Sequence, residues 1–179
     1  MKNDNSNPVR STADAHSPLT EAGIAQARKT AHEVRQFKVT AIACSPYLRT
    51  RQTAETIAGE LGIDFAHITI IDELRERGLG VLENKRREHE GMWYFVDDES
   101  EGIEPRIDLL TRMTECVGVI ARLGENQNVL VVGHAIPGYY LLQAAAKKAS
   151  LYAFDSPSQM SNADYVEVKL LAGVIFLSR

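Results

Sequence analysis

The sequence predicts an α/β domain in which helices cover both faces of a mostly parallel sheet. Short apolar runs at 39–44, 67–71 and 128–132 are typical of buried strands. Between them lie stretches in which apolar residues recur every three or four positions, as they do in amphipathic helices. Because strands and helices alternate along 179 residues, we expect one three-layer α/β/α sandwich spanning 1–179.

The first elements have recognisable boundaries. Thr20 is a suitable N-cap for a helix that reaches about Phe37. The strand at 39–44 ends in Ser45-Pro46, a helix-start signal that predicts a helix from about Tyr47 to Leu61. The polar residues 1–18 lack either periodicity and are expected to form a loop or arm.

The later elements follow the same alternation. The predicted order is a strand at 67–71, a long polar segment at 72–102, a helix at about 105–123, a strand at 128–132, a helix to about 149, and a hairpin of 165–170 and 174–177 at the sheet edge. Long polar segments inside compact domains are often lids or binding loops.

Composition excludes several functional classes. A net charge of -4 and a pI of about 5.7 give no general reason to expect nucleic acid or an anionic membrane as a partner. The two cysteines, Cys44 and Cys116, are too few for a disulfide framework, and we expect both thiols to be buried. No apolar run resembles a secretory signal or a membrane span. The expected compartment is therefore the cytoplasm.

Candidate chemistry collects where predicted strands end, which is where open α/β sheets bind ligands. Arg49 lies in the first turn of a helix and could hold two phosphate oxygens at a helix N-terminus. Gly133 and His134 directly follow the strand at 128–132, and Gly133 would let the backbone approach a ligand closely. Each residue alone has an ordinary structural explanation, and their joint placement favours an anion site.

A third candidate is a carboxyl group in DELRERGLG. Phosphoryl transfer needs an acid that protonates the departing oxygen, and a glutamate with a raised pKa can supply that proton. Spacing alone does not distinguish Glu76 from Glu73 or Glu83.

Five segments, taken in order, resemble the histidine phosphatase superfamily, which includes the cofactor-dependent phosphoglycerate mutases. They are SPLTEAGIAQA, SPYLRTRQTAETI, LRERGLG, VLVVGHA and SNADYVEV. The resemblance implies a phosphoglycerate mutase-like fold and identifies Arg49 as a phosphate clamp, Glu76 as the general acid and His134 as the second pocket histidine. It also implies that Ser45, Gly133 and Asn162 contribute to substrate binding, and that residues 72–104 form the variable insertion that shapes the pocket.

The family's opening strand, which ends in Arg-His-Gly and carries the nucleophilic histidine, has no counterpart in the sequence. PVRST at 8–12 places Ser11 where that histidine would stand, and His16 lies in what the family forms as loop. We therefore expect a chain whose start is incomplete and which is inactive as given. We also expect a vacant space or a foreign strand beside 129–132, where the resemblance places the missing strand.

The leading hypothesis is a phosphomonoester phosphatase that acts on a small phosphorylated metabolite. An alternative is a non-catalytic domain that binds phosphate ligands or a partner. A nucleotide-binding α/β module is a weaker alternative, because neither a Gly-rich phosphate loop nor a dinucleotide fingerprint is present. No cofactor motif is found, and the five histidines show no paired metal-ligand spacing. The sequence leaves the oligomeric state and the substrate open.

Overall fold

A computed structural model describes residues 14–83, 101–149, 165–170 and 173–178, with side chains described for 14–83 and 101–146. The described elements are, in order, α1 (Glu21–Val34), β1 (Ala41–Cys44), α2 (Leu48–Leu61), β2 (Ile68–Ile70), α3 (Arg106–Leu123), β3 (Val129–Val132), α4 (Ala135–Ala149), β4 (Tyr165–Leu170) and β5 (Gly173–Ser178). Single 3-10 turns follow α1 and flank β2. No described helix combines the length and apolarity needed to cross a bilayer.

The strands form one sheet in the order β2-β1-β3-β5-β4. The first four are parallel, and β4 pairs antiparallel to β5. Register places Cys44 of β1 beside Val132 of β3, so these two strands end level with each other. The predicted mostly parallel sheet is therefore confirmed.

The sheet has a packed layer on each face because side chains alternate along its strands. Ala41, Ala43, Val129 and Val131 belong to a core that includes residues of α3 and α4. Ile42, Cys44, Leu130 and Val132 belong to a second core formed with α1 and α2. All eight of these side chains are buried, which explains why both central strands are apolar throughout. The three-layer α/β/α prediction is confirmed.

The start of α2 differs from the sequence prediction. The helix begins at Leu48, and its N-cap residue is Tyr47, whose side chain makes no capping hydrogen bond. Ser45 lies two residues before the N-cap, and its hydroxyl oxygen accepts a hydrogen bond of 3.4 Å from the amide of Tyr47 and contacts the ring of His134. By contrast, Thr20 caps α1 as predicted, accepting a hydrogen bond from the amide of Gly23 at 3.1 Å.

The carboxyl-terminal hairpin lies at the sheet edge, as predicted. Its outer strand is β4, and β5 lies between β3 and β4. Val129 to Val132 pair in parallel with Ile175 to Ser178. The strand with the apolar sequence VIFL hydrogen-bonds to the backbone groups of β3, which would otherwise be unpaired. The expectation of a vacant space or a foreign strand beside 129–132 is therefore wrong for the described residues, because β5 of the same chain pairs there.

Candidate active site

The site lies at the carboxyl edge of β1 and β3. Ser45 directly follows β1, and its amide donates to the carbonyl of Val132, the last residue of β3, at 3.0 Å. His134 follows Val132 after one glycine. The hydroxyl oxygen of Ser45 lies 2.8 Å from Nε2 of His134, and both residues are buried. Parallel strands that end level thus bring together two side chains that are 89 positions apart in sequence.

Arg49 approaches the same imidazole from the first turn of α2. Its Nη2 lies 3.2 Å from Nδ1 of His134, and its Nη1 donates to the carbonyl of Asp14 at 3.0 Å. Burial lowers the pKa of Arg49, although the nearby Glu76 opposes that effect. An arginine nevertheless remains charged at any physiological pH. Arg51, two residues further on, is exposed.

Glu76 is the carboxyl group that reaches the site. Its Oε2 lies 3.9 Å from Nδ1 of His134, and its Oε1 accepts from the amide of Arg77 at 3.0 Å. Burial raises the pKa of Glu76 to about 7, despite the opposing hydrogen bond from Arg77. The side chain of Glu73 is not part of the contacts around His134, and Glu83 accepts from the amide of Leu79. The structure thus separates three glutamates that spacing could not.

His134 is held as a neutral imidazole. Its side chain is only 4% exposed, and burial lowers its pKa well below the usual value, with the charges of Arg49 and Arg112 adding to the effect. The contact of 3.9 Å with Glu76 is therefore not an ion pair, since the imidazole carries no charge and the carboxyl group titrates near neutrality.

Tyr47 forms one wall of the site. Its ring meets the ring of His134 edge-on with 5.0 Å between centroids, and the guanidinium of Arg49 lies 4.8 Å from the Tyr47 centroid. Burial raises the pKa of this tyrosine. The aromatic ring restricts the orientations open to both functional side chains, as cation–π and edge-to-face contacts do elsewhere.

The segment before α1 packs against the start of α2. The carbonyl of Ala15 accepts from the amide of Leu48 at 2.8 Å, and the amide of Leu19 donates to Oε1 of Gln52 at 2.7 Å. Asp14 accepts from the amide of His16 and from the hydroxyl group of Ser17. The side chain of His16 is exposed. This segment therefore positions Arg49 through a backbone carbonyl.

Two charged residues that the sequence analysis did not identify support Glu76. Arg112, on α3, donates to the carbonyl groups of Glu73, Arg75 and Glu76 and to both carboxylate oxygens of Glu104. The sequence pattern of α3 could have identified Arg112 as a buried residue. Leu109, Met113, Cys116, Val117 and Ile120 form the buried stripe of α3, and Arg112 falls on that stripe. A charged residue at such a position needs buried partners.

The remaining predicted residues have different outcomes. Ser45 contacts His134, and its hydroxyl group is fully buried beside the imidazole. Gly133 has an ordinary backbone conformation, and a β-carbon added there would meet no atom within 4 Å, so neither strain nor crowding demands glycine. Asn162 lies outside the described residues, as does most of the 72–104 insertion.

Together these groups could bind and protonate an anion. Arg49 supplies a fixed positive charge, and a glutamic acid with a pKa near 7 can donate a proton at neutral pH. Among the described side chains, no three His, Cys, Asp or Glu residues gather into a metal-ligand cluster. The side chains at this edge of the sheet could therefore hold an anion and donate a proton to it.

The sequence is similar to those of known proteins. A sequence profile of the histidine phosphatase superfamily (branch 1) matches residues 4–177. The chain is 31% identical over 137 residues to a protein of Erwinia tasmaniensis named probable phosphoglycerate mutase GpmB, covering 71% of this chain and 62% of that protein. It is 30% identical over 131 residues to a Bacillus subtilis protein named uncharacterized phosphatase PhoE, covering 70% and 63%. The alignments therefore span less than two thirds of either relative.

Solved structures share the fold. The native structure of a mycobacterial glucosyl-3-phosphoglycerate phosphatase gives a TM-score of 0.65 at 19% identity, covering 89% of this chain and 80% of that one. A putative alpha-ribazole-5'-P phosphatase from Escherichia coli gives 0.64 at 17% identity, covering 96% and 87%. At these identities the likeness establishes the fold, and it confirms the predicted phosphoglycerate mutase-like architecture.

Proposed function

The chain belongs to the histidine phosphatase superfamily, and from that premise we propose that its site binds the phosphoryl group of a small phosphorylated metabolite, as in a phosphomonoester phosphatase. One observation carries the proposal. Arg49 and Glu76, which come from separate segments, lie 3.2 and 3.9 Å from the same nitrogen of His134. A surface ion pair would not explain this convergence, because the imidazole at its centre is buried and neutral.

Each side chain has a role that its surroundings favour. Arg49 would turn from Nδ1 of His134 and the carbonyl of Asp14 to the phosphate oxygens, since charge-assisted hydrogen bonds are stronger than neutral ones. Glu76 would protonate the departing oxygen, because burial keeps a large fraction of this carboxyl group protonated near pH 7. His134 would hydrogen-bond the transferring group.

Turnover needs a nucleophile as well. The printed sequence contains no Arg-His-Gly, and the exposed side chain of His16 is not among the contacts of Arg49, Glu76 or His134. Without a nucleophile these groups can bind phosphate but cannot form a phosphoenzyme. We therefore expect the chain as printed to bind phosphate esters without hydrolysing them. A non-catalytic phosphate-binding domain predicts the same behaviour, and adding a strand that ends in Arg-His-Gly distinguishes the two.

The test is calorimetric titration of the 179-residue chain with inorganic phosphate, beside an assay with p-nitrophenyl phosphate. We expect saturable binding that Arg49→Ala weakens by at least about tenfold, as loss of a charge-assisted pair implies. Arg51→Ala is the matched control because it removes an exposed arginine from the same helix and should leave binding unchanged. Absence of binding, or equal loss in both variants, would reject the proposed site.

The assay separates the two functional alternatives. Hydrolysis by the printed chain that disappears in Arg49→Ala would exclude the non-catalytic alternative and the expectation of inactivity. If the printed chain is inactive, a second chain that carries an added apolar strand ending in Arg-His-Gly should gain turnover if the domain is a phosphatase. Continued inactivity of that folded, phosphate-binding chain would favour the non-catalytic domain.

A further inference from the structure

The two ring nitrogens of His134 face partners of different kinds. Nδ1 lies 3.2 Å from Nη2 of Arg49, and Nε2 lies 2.8 Å from the hydroxyl oxygen of Ser45. A guanidinium group can only donate hydrogen bonds, so Nδ1 accepts and carries no proton. A neutral imidazole then holds its proton on Nε2, and that proton is donated to Ser45.

The groups around the ring favour this neutral form. Arg49 on α2 and Arg112 on α3 bring positive charge, and burial removes most of the hydration that an imidazolium would have in solvent. Glu76 lies 3.9 Å from Nδ1 and is the counterion that would favour a charged ring, but its own pKa of about 7 leaves it partly protonated. Tyr47 meets the ring edge-on and is un-ionised at neutral pH, since burial raises its pKa.

An anion at the site changes what Nδ1 must do. If Arg49 turns to the anion, Nδ1 loses its donor and faces negatively charged oxygens with a lone pair. That arrangement is repulsive unless Nδ1 carries a proton. The ring can meet this demand by becoming an imidazolium or by moving its single proton from Nε2 to Nδ1. The two arginines and the burial disfavour the first route.

We propose that Ser45 is a positioning residue that allows His134 to exchange tautomer when a phosphoryl group binds. Without the anion, Nε2–H donates to Oγ of Ser45; with it, Oγ–H donates to Nε2 while Nδ1–H donates to the anion. A hydroxyl group suits this exchange because it can both donate and accept. The N–H bond at Nε2 breaks and one forms at Nδ1, water carries the proton, and the ring charge stays at zero.

The surroundings of Ser45 keep its hydroxyl group in place for both arrangements. The residue is 0% exposed, and its amide is tied to the carbonyl of Val132 at 3.0 Å. Its carbonyl accepts from the hydroxyl group of Thr50 at 2.9 Å. Ser45 therefore acts through His134 instead of touching the substrate directly, which refines the substrate-binding role that the family resemblance implied.

This inference rests on the proposed phosphate site, and nitrogen NMR of the ¹⁵N-histidine-labelled chain tests the two separately. Each ring nitrogen reports whether it carries a proton, and His134→Gln assigns the signals among five histidines. At neutral pH we expect proton-bearing Nε2 in the free chain and proton-bearing Nδ1 in the complex with inorganic phosphate. An imidazolium, or a proton that stays on Nε2 in a complex that calorimetry shows to be saturated, would overturn the tautomer exchange. Failure of phosphate to bind would instead reject the proposed function.

Ser45→Ala tests the role of the hydroxyl group itself. The variant loses the contact with Nε2 in both states and also the hydrogen bond of 3.4 Å from the amide of Tyr47, and we expect phosphate affinity to change by less than about threefold. In the phosphate complex the Nε2 signal should shift to that of a nitrogen without a hydrogen bond. Thr56→Ala is the control, since it removes a hydroxyl group that donates to the backbone carbonyl of Gln52 within α2 and not to His134. An Nε2 signal that is unchanged by Ser45→Ala, or an affinity loss as large as that of Arg49→Ala, would overturn the assignment.

Discussion

Arg112 and Glu104 form a two-point ion pair that is almost shielded from solvent. Nε of Arg112 lies 2.6 Å from Oε1 of Glu104, and Nη2 lies 2.8 Å from Oε2. The two side chains are 9% and 15% exposed. The pair links α3 to Glu104, which lies just before that helix. Arg112 also donates to the carbonyl groups of Arg75 and Glu76, so it links α3 to the backbone that carries Glu76. Glu104 accepts in addition from the amide of Gly78.

Arg112→Met should destabilise the domain by about 3–5 kcal/mol, because it leaves a buried carboxylate and several carbonyl groups without their donor. Urea denaturation measures the loss. Arg122→Met removes an exposed arginine from the same helix and should change the free energy of unfolding by less than about 0.5 kcal/mol. Equal effects of the two substitutions would contradict the assigned role of Arg112.

Ionisation of Glu76 should destabilise the wild-type chain as pH rises, and Glu76→Gln should remove this pH dependence of the unfolding free energy. The pKa of Glu76 is about 7 in the folded chain and about 4.3 in an unfolded one. Between these two pKa values the folded state binds more protons than the unfolded state. The stability that the protonated carboxyl group of Glu76 contributes is therefore fully present below about pH 4.3 and is lost as the pH rises through 7. The difference in unfolding free energy between variant and wild type should therefore increase with pH, by on the order of 3 kcal/mol in total. A difference that is flat from pH 4.5 to 8 would contradict this.

His134→Gln should have the opposite pH dependence. The pKa of His134 is lowered by burial and by the two arginines, so the unfolded chain binds the extra proton. Stability is then present above the unfolded value of about 6.5 and is lost as pH falls below it. The variant should be relatively more stable than wild type at pH 5 than at pH 7.5, as thermal or urea unfolding would show. Its matched comparison is His67→Gln, which replaces an exposed histidine and should change the free energy of unfolding by less than about 0.5 kcal/mol.

The order and type of the elements could be predicted because each leaves a local pattern of apolar residues in the sequence. β1 and β3 are continuous apolar runs, and α1 and α3 carry stripes at helical spacing. The position of β5 could not be predicted, because hairpin patterning gives the pairing of β4 with β5 but not the neighbour on the other side. That neighbour depends on which sheet edge is left open.

Arg49, Glu76 and His134 were predicted as candidate site residues, and the structure places the first two in contact with His134. Ser45 was predicted to bind substrate, but its contact with His134 was not foreseen. Ser45 precedes a proline, and that local pattern favours an N-cap. Its hydroxyl group instead bonds to a ring 89 positions away, a contact that only the parallel register of β1 and β3 creates. Arg112 likewise bonds to carbonyl groups up to 39 positions away. Such long-range partners have no local signature.

Residues 79–80 lie against residues 101–103 and so close the base of the insertion; we call this contact the closure. Gly80→Ala should destabilise it. Gly80 has φ of +50°, and a β-carbon there would lie 2.1 Å from the carbonyl oxygen of Glu101 and 2.5 Å from the carbonyl carbon of Gly102. Both contacts are with backbone, so the two backbone segments would have to separate. Leu79 and Ile103, which pair across it and are buried, would lose their packing.

The expected loss is at least about 2 kcal/mol of unfolding free energy, since positive φ and a backbone clash both act against the variant. Gly59→Ala gives a control of opposite sign. Gly59 lies inside α2 with no atom within 4 Å of an added β-carbon, so alanine should stabilise the chain by about 0.5–1 kcal/mol. Urea titrations of the two variants and the wild type at one pH would measure both changes in unfolding free energy. A Gly80→Ala chain as stable as wild type would show that the closure between Gly80 and Gly102 does not hold the base of the insertion.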